Sequence, residues 1–157
     1  KEGAKIMSLT DGNNKMSKSD ENANSRITLL DSPELIAKKI KRAKTDQYVG
    51  LEFDNLNRPE ANNLLSIYAI ISGRGRDLAA KECATMGWGI FKPLLTEATI
   101  TALMPIQDRY KELMKDQTEL YRILNKGRAK ADEVAQSTLM RLQSAMGLLP
   151  NPNKTNL

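Results

Sequence analysis

The sequence predicts a mainly α fold, a C-terminal helical bundle preceded by one short strand and a lysine-rich loop that together close an α/β domain. Three observations predict it. Apolar residues recur at three-and-four spacing through most of residues 31–147, no alternating strand pattern follows residue 30, and the one strand-like stretch, Ala4-Lys5-Ile6-Met7-Ser8-Leu9, stands at the start. A lone strand of that length is not stable in water, so its sheet neighbours are expected upstream of Lys1. The absence of an initial Met points the same way, to a piece of something longer.

Each element follows from its residues. Thr10-Asp11-Gly12-Asn13-Asn14 stops the strand, because Asp, Gly and Asn supply turn conformations and local side-chain to backbone bonds. The loop Lys15-Met16-Ser17-Lys18-Ser19, then Asp20, comes next. After the apolar Ile27-Thr28-Leu29-Leu30, the run Asp31-Ser32-Pro33-Glu34 reads as a helix start, with Ser32 as N-cap, Pro33 as first helical residue and Glu34 in the first turn. Leu35, Ile36 and Ile40, helped by Ala37 and Ala43, form its apolar face. Lys38, Lys39, Lys41, Arg42 and Lys44 crowd the rest, as a solvated face near a helix C-terminus or as a surface for phosphate.

Residues 45–59 read as a polar connection, and 60–72 as a core helix carrying Leu64, Leu65, Ile67, Tyr68, Ile70 and Ile71. Gly73-Arg74-Gly75-Arg76 is its stop and turn. A helix over 77–86 follows, then Gly87-Trp88-Gly89 as punctuation, with Trp88 placed to pack at the helix junction, the stronger reading, or to stack on a base. Residues 90–115 read as one long helix or two abutting ones, kinked or divided at Pro105. A shorter helix with Leu120, Ile123 and Leu124 ends near Asn125-Lys126-Gly127, and the last runs over 129–146 to Gly147, leaving Pro150-Asn151-Pro152-Asn153 as a tail.

The 157 residues can bury a core without disulfides or metals, and 40% hydrophobic with 27% charged residues describes a soluble globular chain. The single Cys83 excludes an internal disulfide and a multi-cysteine zinc site; in its Ala-rich helical setting it reads as a buried structural thiol. With no His, catalysis by Ser-His-Asp or Cys-His within this chain is excluded, and no metal site is expected. A net charge of +5 suits a polyanionic partner such as RNA. No stretch is apolar for long enough to cross a membrane, and the sequon Asn153-Lys154-Thr155 reads as accidental.

Two lysines with hydroxyls at alternate positions make a flexible clamp for a polyphosphate. The ammonium groups of Lys15 and Lys18 are mobile point charges, and Ser17, Ser19 and backbone N–H groups donate hydrogen bonds. All five residues match a known signature, with a strand before and a helix after. The stretch resembles the KMSKS loop of class I aminoacyl-tRNA synthetases. Lys38-Lys39-Ile40-Lys41-Arg42-Ala43-Lys44-Thr45-Asp46, Arg58-Pro59, Asn63-Leu64-Leu65-Ser66-Ile67-Tyr68, Gly87-Trp88-Gly89 with Phe91-Lys92, and Pro105-Ile106-Gln107-Asp108-Arg109-Tyr110 extend the resemblance. In order and spacing they are similar to tryptophanyl-tRNA synthetases of the bacterial and organellar type. Lys18 places the chain in that branch, since archaeal and eukaryotic cytosolic members usually carry a small residue there. Two departures stand out: Lys5 replaces a common Arg, and Asp11-Gly12-Asn13-Asn14 replaces a stretch that commonly includes Pro.

The resemblance implies that residues 1–30 are the C-terminal remnant of a Rossmann-type catalytic domain, 31–150 a helical domain that meets the tRNA anticodon, and 151–157 a flexible tail. It implies a tryptophan-tRNA ligase that activates tryptophan with ATP and Mg²⁺ and transfers it to tRNA(Trp), acting as a homodimer in cytoplasm or organellar matrix. Lys15 and Lys18 would be catalytic, and Lys15, Met16, Ser17, Lys18 and Ser19 would bind ATP. The HIGH-type motif and the tryptophan pocket would lie upstream, so residues 1–157 alone are expected to be inactive. Arg109, Lys111, Arg122, Lys126, Arg128 and Lys130 are basic candidates for the tRNA face. A helical module that binds RNA or phosphate without catalysis is the other reading.

Overall fold

The computed structural model describes residues 5–148. Ala4 of the expected strand, the tail 151–157 and the sequon lie outside them. Among the described residues the fold is helical: α1 (Pro33–Arg42), α2 (Pro59–Ile71), α3 (Gly75–Cys83), α4 (Trp88–Lys115) and α5 (Gln117–Ala145), with a short 3-10 turn at Ala23–Ser25. The chain parts into two compact units, Lys1–Arg109 and Tyr110–Leu157.

In the first unit, periodicity and burial agree. Ile36 and Ile40 of α1, Leu64, Leu65 and Tyr68 of α2, Ala79 and Cys83 of α3, and Phe91 and Leu95 of α4 are almost wholly shielded from water. Tyr68 and Trp88 each meet Phe91 edge-on, at centroid distances of 5.9 and 6.0 Å. The α1 start is as expected: Ser32 Oγ accepts from Leu35 N–H at 3.3 Å, with Pro33 opening the helix. Cys83 is buried, and burial first, then the nearby Glu82 charge, pushes its thiol up to about 11. The two arginines of Gly73-Arg74-Gly75-Arg76 pair with carboxylates near the surface, Arg74 with Glu82 and Arg76 with Asp54, each at 2.8 Å.

Four expectations are corrected. No strand forms over 5–9; Met7 makes a single antiparallel bridge with Lys15, and helix side chains and loop backbone take the hydrogen bonds a sheet would have supplied. Lys39 is not on the solvated face. It falls three residues after Ile36 and four before Ala43, on the apolar stripe, and is buried against Asp31, which neutralises it. Gly87-Trp88-Gly89 lies at the junction of α3 and α4 as expected, but α4 begins two residues early, at Trp88, and runs unbroken through Pro93 and Pro105.

The second unit holds the fourth correction. The two helices expected around Gly127 are one, α5. A mid-helix glycine among Arg128, Ala129, Lys130 and Ala131 costs about 1 kcal/mol, too little to stop a helix with strong formers on its flank. Gly147 does stop it, with φ 68° and a Leu148 N–H bond to Gln143 O at 2.9 Å. None of the α5 residues is buried.

Candidate functional site

The lysine loop stands on a platform built by residues 6–16 and the start of α2. Met16 N–H donates to Ile6 O at 2.9 Å and Ser8 N–H to Asn14 O at 2.8 Å, which sets Met7 opposite Lys15. In that register the N–H and C=O of Met7 point away from Lys15. One side chain takes both. Asn63 of α2, only 4% exposed, accepts from Met7 N–H at 2.9 Å through Oδ1 and donates through Nδ2 to Met7 O at 2.9 Å and Ser8 O at 3.4 Å.

The turn of the hairpin rests on the same helix. A Cβ on Gly12 would lie 2.6 Å from the backbone of Pro59 and Glu60, so a larger residue cannot sit there without moving one chain. Glu60 faces Gly12 N–H and pairs with Lys44 at 2.7 Å, and Lys44 N–H donates to Leu9 O at 2.8 Å. Burial alone would push the Glu60 carboxyl up; the hydrogen bond from Lys44, aided by backbone N–H groups, holds it below the ordinary glutamate value.

Beyond Met16, which packs on the core, the chain leaves the platform. Ser17, Lys18 and Ser19 are exposed. Short-range bonds hold the tip: Ser19 N–H to Ser17 Oγ at 3.2 Å, Asn22 N–H to Asp20 Oδ1 at 2.8 Å and Arg26 Nη1 to Asp20 O at 2.6 Å. Among the described residues, neither Lys15 nor Lys18 forms an ion pair. Two cations and two hydroxyls therefore face outward within five residues, on a loop whose root is bonded to α2 and whose exposed tip is held by short-range bonds alone.

The chain re-enters the body at a second anchor. Thr28 N–H and Oγ1 both donate to Asp31, Lys39 Nζ donates to the same carboxylate, and Gln107 of α4 donates to Leu29 O and Asp31 O at 3.0 Å each. Burial pushes the Asp31 carboxyl up, but the Lys39 and Thr28 hydrogen bonds outweigh it and keep it below the ordinary aspartate value.

Of the basic residues on α1, Lys38, Lys41 and Arg42 are exposed while Lys39 is consumed internally. Trp88 packs on Phe91 and donates from Nε1 to Asp46 Oδ1 at 3.3 Å, as expected for a junction residue. Its open side helps to line a concavity of about 700 Å³ with Ala37, Lys41, Lys92 and Pro93. Asp46 in turn holds Arg58 in a two-pronged pair at 2.8 and 3.1 Å, which ties the polar connection to α2. Among the basic candidates of the second unit, Arg122 pairs with Glu119 at 2.6 Å, and Lys126 and Lys130 are exposed. Sequence reasoning missed Asn63, Gly12 and Gln107. The one usable signal was a polar residue, Asn63, opening an otherwise apolar helical run.

The comparisons with known proteins bear on this loop and its helices. Residues 3–104 match the family of class I tRNA synthetases (W and Y), and the chain belongs to that family. It is 66% identical over 149 residues, 95% of its length, to the tryptophan-tRNA ligase of Prochlorococcus marinus strain MIT 9313. To the chloroplastic/mitochondrial tryptophan-tRNA ligase of Arabidopsis thaliana it is 53% identical over 145 residues. Among solved structures it is similar to a tryptophanyl-tRNA synthetase from Mycoplasma pneumoniae, with a TM-score of 0.77, 30% identity and 93% of this chain covered. The chain spans 44% of the length of the Prochlorococcus relative, 36% of the Arabidopsis one and 46% of the Mycoplasma structure.

Proposed function

We propose that this chain supplies the KMSKS loop and the helical region of a tryptophan-tRNA ligase, with residues 1–30 belonging to its catalytic domain and 31–150 to its tRNA-binding domain. One observation carries the reading: Lys15, Ser17, Lys18 and Ser19 face outward without internal ion pairs, on an anchored platform, in a chain 66% identical to a relative of that name. In the reaction, a carboxylate oxygen of tryptophan attacks the α-phosphorus of ATP. The bond from that phosphorus to the bridging oxygen breaks, and pyrophosphate leaves as tryptophanyl-adenylate forms. The tRNA's terminal ribose hydroxyl then displaces AMP from the carbonyl carbon.

Negative charge builds on the departing pyrophosphate, and Lys15 and Lys18 would stabilise it. Ser17 and Ser19 would donate to its oxygens, and Met16 would set its backbone toward the adenine. The exposed tip would close over ATP so that the contact strengthens in the transition state. Mg²⁺ would arrive on the phosphates of ATP, neutralise part of their charge and take few ligands from this chain, whose loop offers lysines and hydroxyls. The full-length homodimer and a cytoplasmic or organellar-matrix setting belong to the same proposal. The setting, though not the dimer, is supported by relatives from bacteria and from a plant's chloroplasts and mitochondria.

The test is exchange of labelled pyrophosphate into ATP by the full-length protein, with tryptophan and with tyrosine. Exchange driven by tryptophan alone is the expected result. Exchange with tyrosine instead refutes the substrate, and none with either amino acid favours a non-catalytic RNA- or phosphate-binding module.

A further inference from the structure

A short β-stretch normally owes its position to a neighbouring strand, but Met7 has one only on the Lys15 side. On its open side the carboxamide of Asn63 does a strand's work, accepting from Met7 N–H and donating to Met7 O, both at 2.9 Å. This amide is buried, lies 56 residues away in sequence, and is held on α2, whose first residues also contact Gly12. Met7 and Lys15 are paired across the hairpin, so whatever fixes Met7 fixes the root of Lys15. Lys18, at the exposed tip, has no such connection.

We propose that Asn63 is a positioning residue for Lys15, acting through Met7, and that Lys18, at the tip, lies outside its reach, so that the two lysines of the loop respond separately to a change in the platform. This rests on the proposed tryptophan activation, and the experiment separates the two failures. In Asn63→Asp the acceptor for Met7 N–H is kept, while a carboxylate replaces the donor facing the carbonyls of Met7 and Ser8. The platform then shifts without any change in the loop's own residues.

The experiment is a pair of double-mutant cycles on the full-length protein, read by tryptophan-dependent pyrophosphate exchange. Asn63→Asp is combined with Lys15→Ala in one cycle and with Lys18→Ala in the other. A displaced catalytic group costs about 100-fold in kcat, with little change in the KM for tryptophan. That loss should vanish in the Lys15→Ala background and persist in full in the Lys18→Ala background. Equal additivity with both lysines, or unchanged kcat in folded Asn63→Asp, overturns the proposal. Should Asn63→Asp fail to fold, Glu60→Gln, which loosens the same platform at Gly12 and Lys44, is carried through the same cycles and judged by the same two outcomes. No exchange in the unaltered protein, or full exchange in Lys15→Ala, refutes the proposed role of the lysine loop and with it any positioning of Lys15 by Asn63.

Discussion

At the scale of single residues, the most exacting feature is the buried pair of Lys39 and Asp31 at the re-entry of the loop. Removing one member of such a pair leaves a charge without compensation in a shielded site, so Lys39→Ala should destabilise the chain by about 3–5 kcal/mol in urea unfolding. The pair also sets a pH dependence. Asp31 titrates below its ordinary value of 3.8 in the folded protein, so its contribution is present above the unfolded value and lost as pH falls through the folded one. The stability gap between native protein and Lys39→Ala should therefore narrow below about pH 4, and a gap that widens there would contradict the assignment. Gly12 is constrained by space. A methyl at that position meets the backbone of Glu60 at 2.6 Å, and Gly12→Ala is expected to lose about 1–3 kcal/mol, measured the same way. The Lys39 position was legible in hindsight, since 36, 39, 40 and 43 form one stripe; its charge disguised it. Gly12 was not, because its partner lies some 50 residues away, and Asn63 showed only as a polar residue beside an apolar run, with nothing local to name Met7 as its partner.

At the scale of elements, helices were legible wherever apolar periodicity and caps coincided. Ser32-Pro33 opening α1 and the apolar run of α2 are found where the residues put them. Helix breaks were the weak point: a glycine inside a run signals a stop only when the backbone there turns, and at Gly127 it does not, while across Pro105 the single long helix is the one of the two readings that forms. Gly127 has open space around its Cα and lies mid-helix, so Gly127→Ala should stabilise α5 by about 0.5–1 kcal/mol, seen as increased helicity and a higher Tm. A loss of helicity would mean that the backbone bends there after all. The lysine loop is the opposite kind of element, named at once by its residues but not by any regular structure. Its tip is exposed and held by short-range bonds, so trypsin should cut first after Lys18, and ATP should slow that cut. A first cut elsewhere would place the weakest segment outside the loop.

At the scale of the whole molecule, the chain carries a bonded platform, an exposed cationic tip and a helical region, with a net charge of +5. The proposed phosphate chemistry is read from five adjacent residues; the platform could not be read that way, because long-range contacts make it. Exposed Lys38, Lys41 and Arg42 on α1 predict tRNA binding by the full-length protein that weakens steeply as salt is raised, a dependence that filter binding would show. Salt-independent binding would remove these cations from the interface. The central claim is that the loop's lysines stabilise the departing pyrophosphate. It is tested most directly by comparing tryptophan-dependent pyrophosphate exchange in the full-length protein and in Lys18→Ala, with tryptophan affinity measured alongside. The account predicts a fall in exchange of about 100-fold or more with tryptophan binding retained. Exchange unchanged in Lys18→Ala would contradict it.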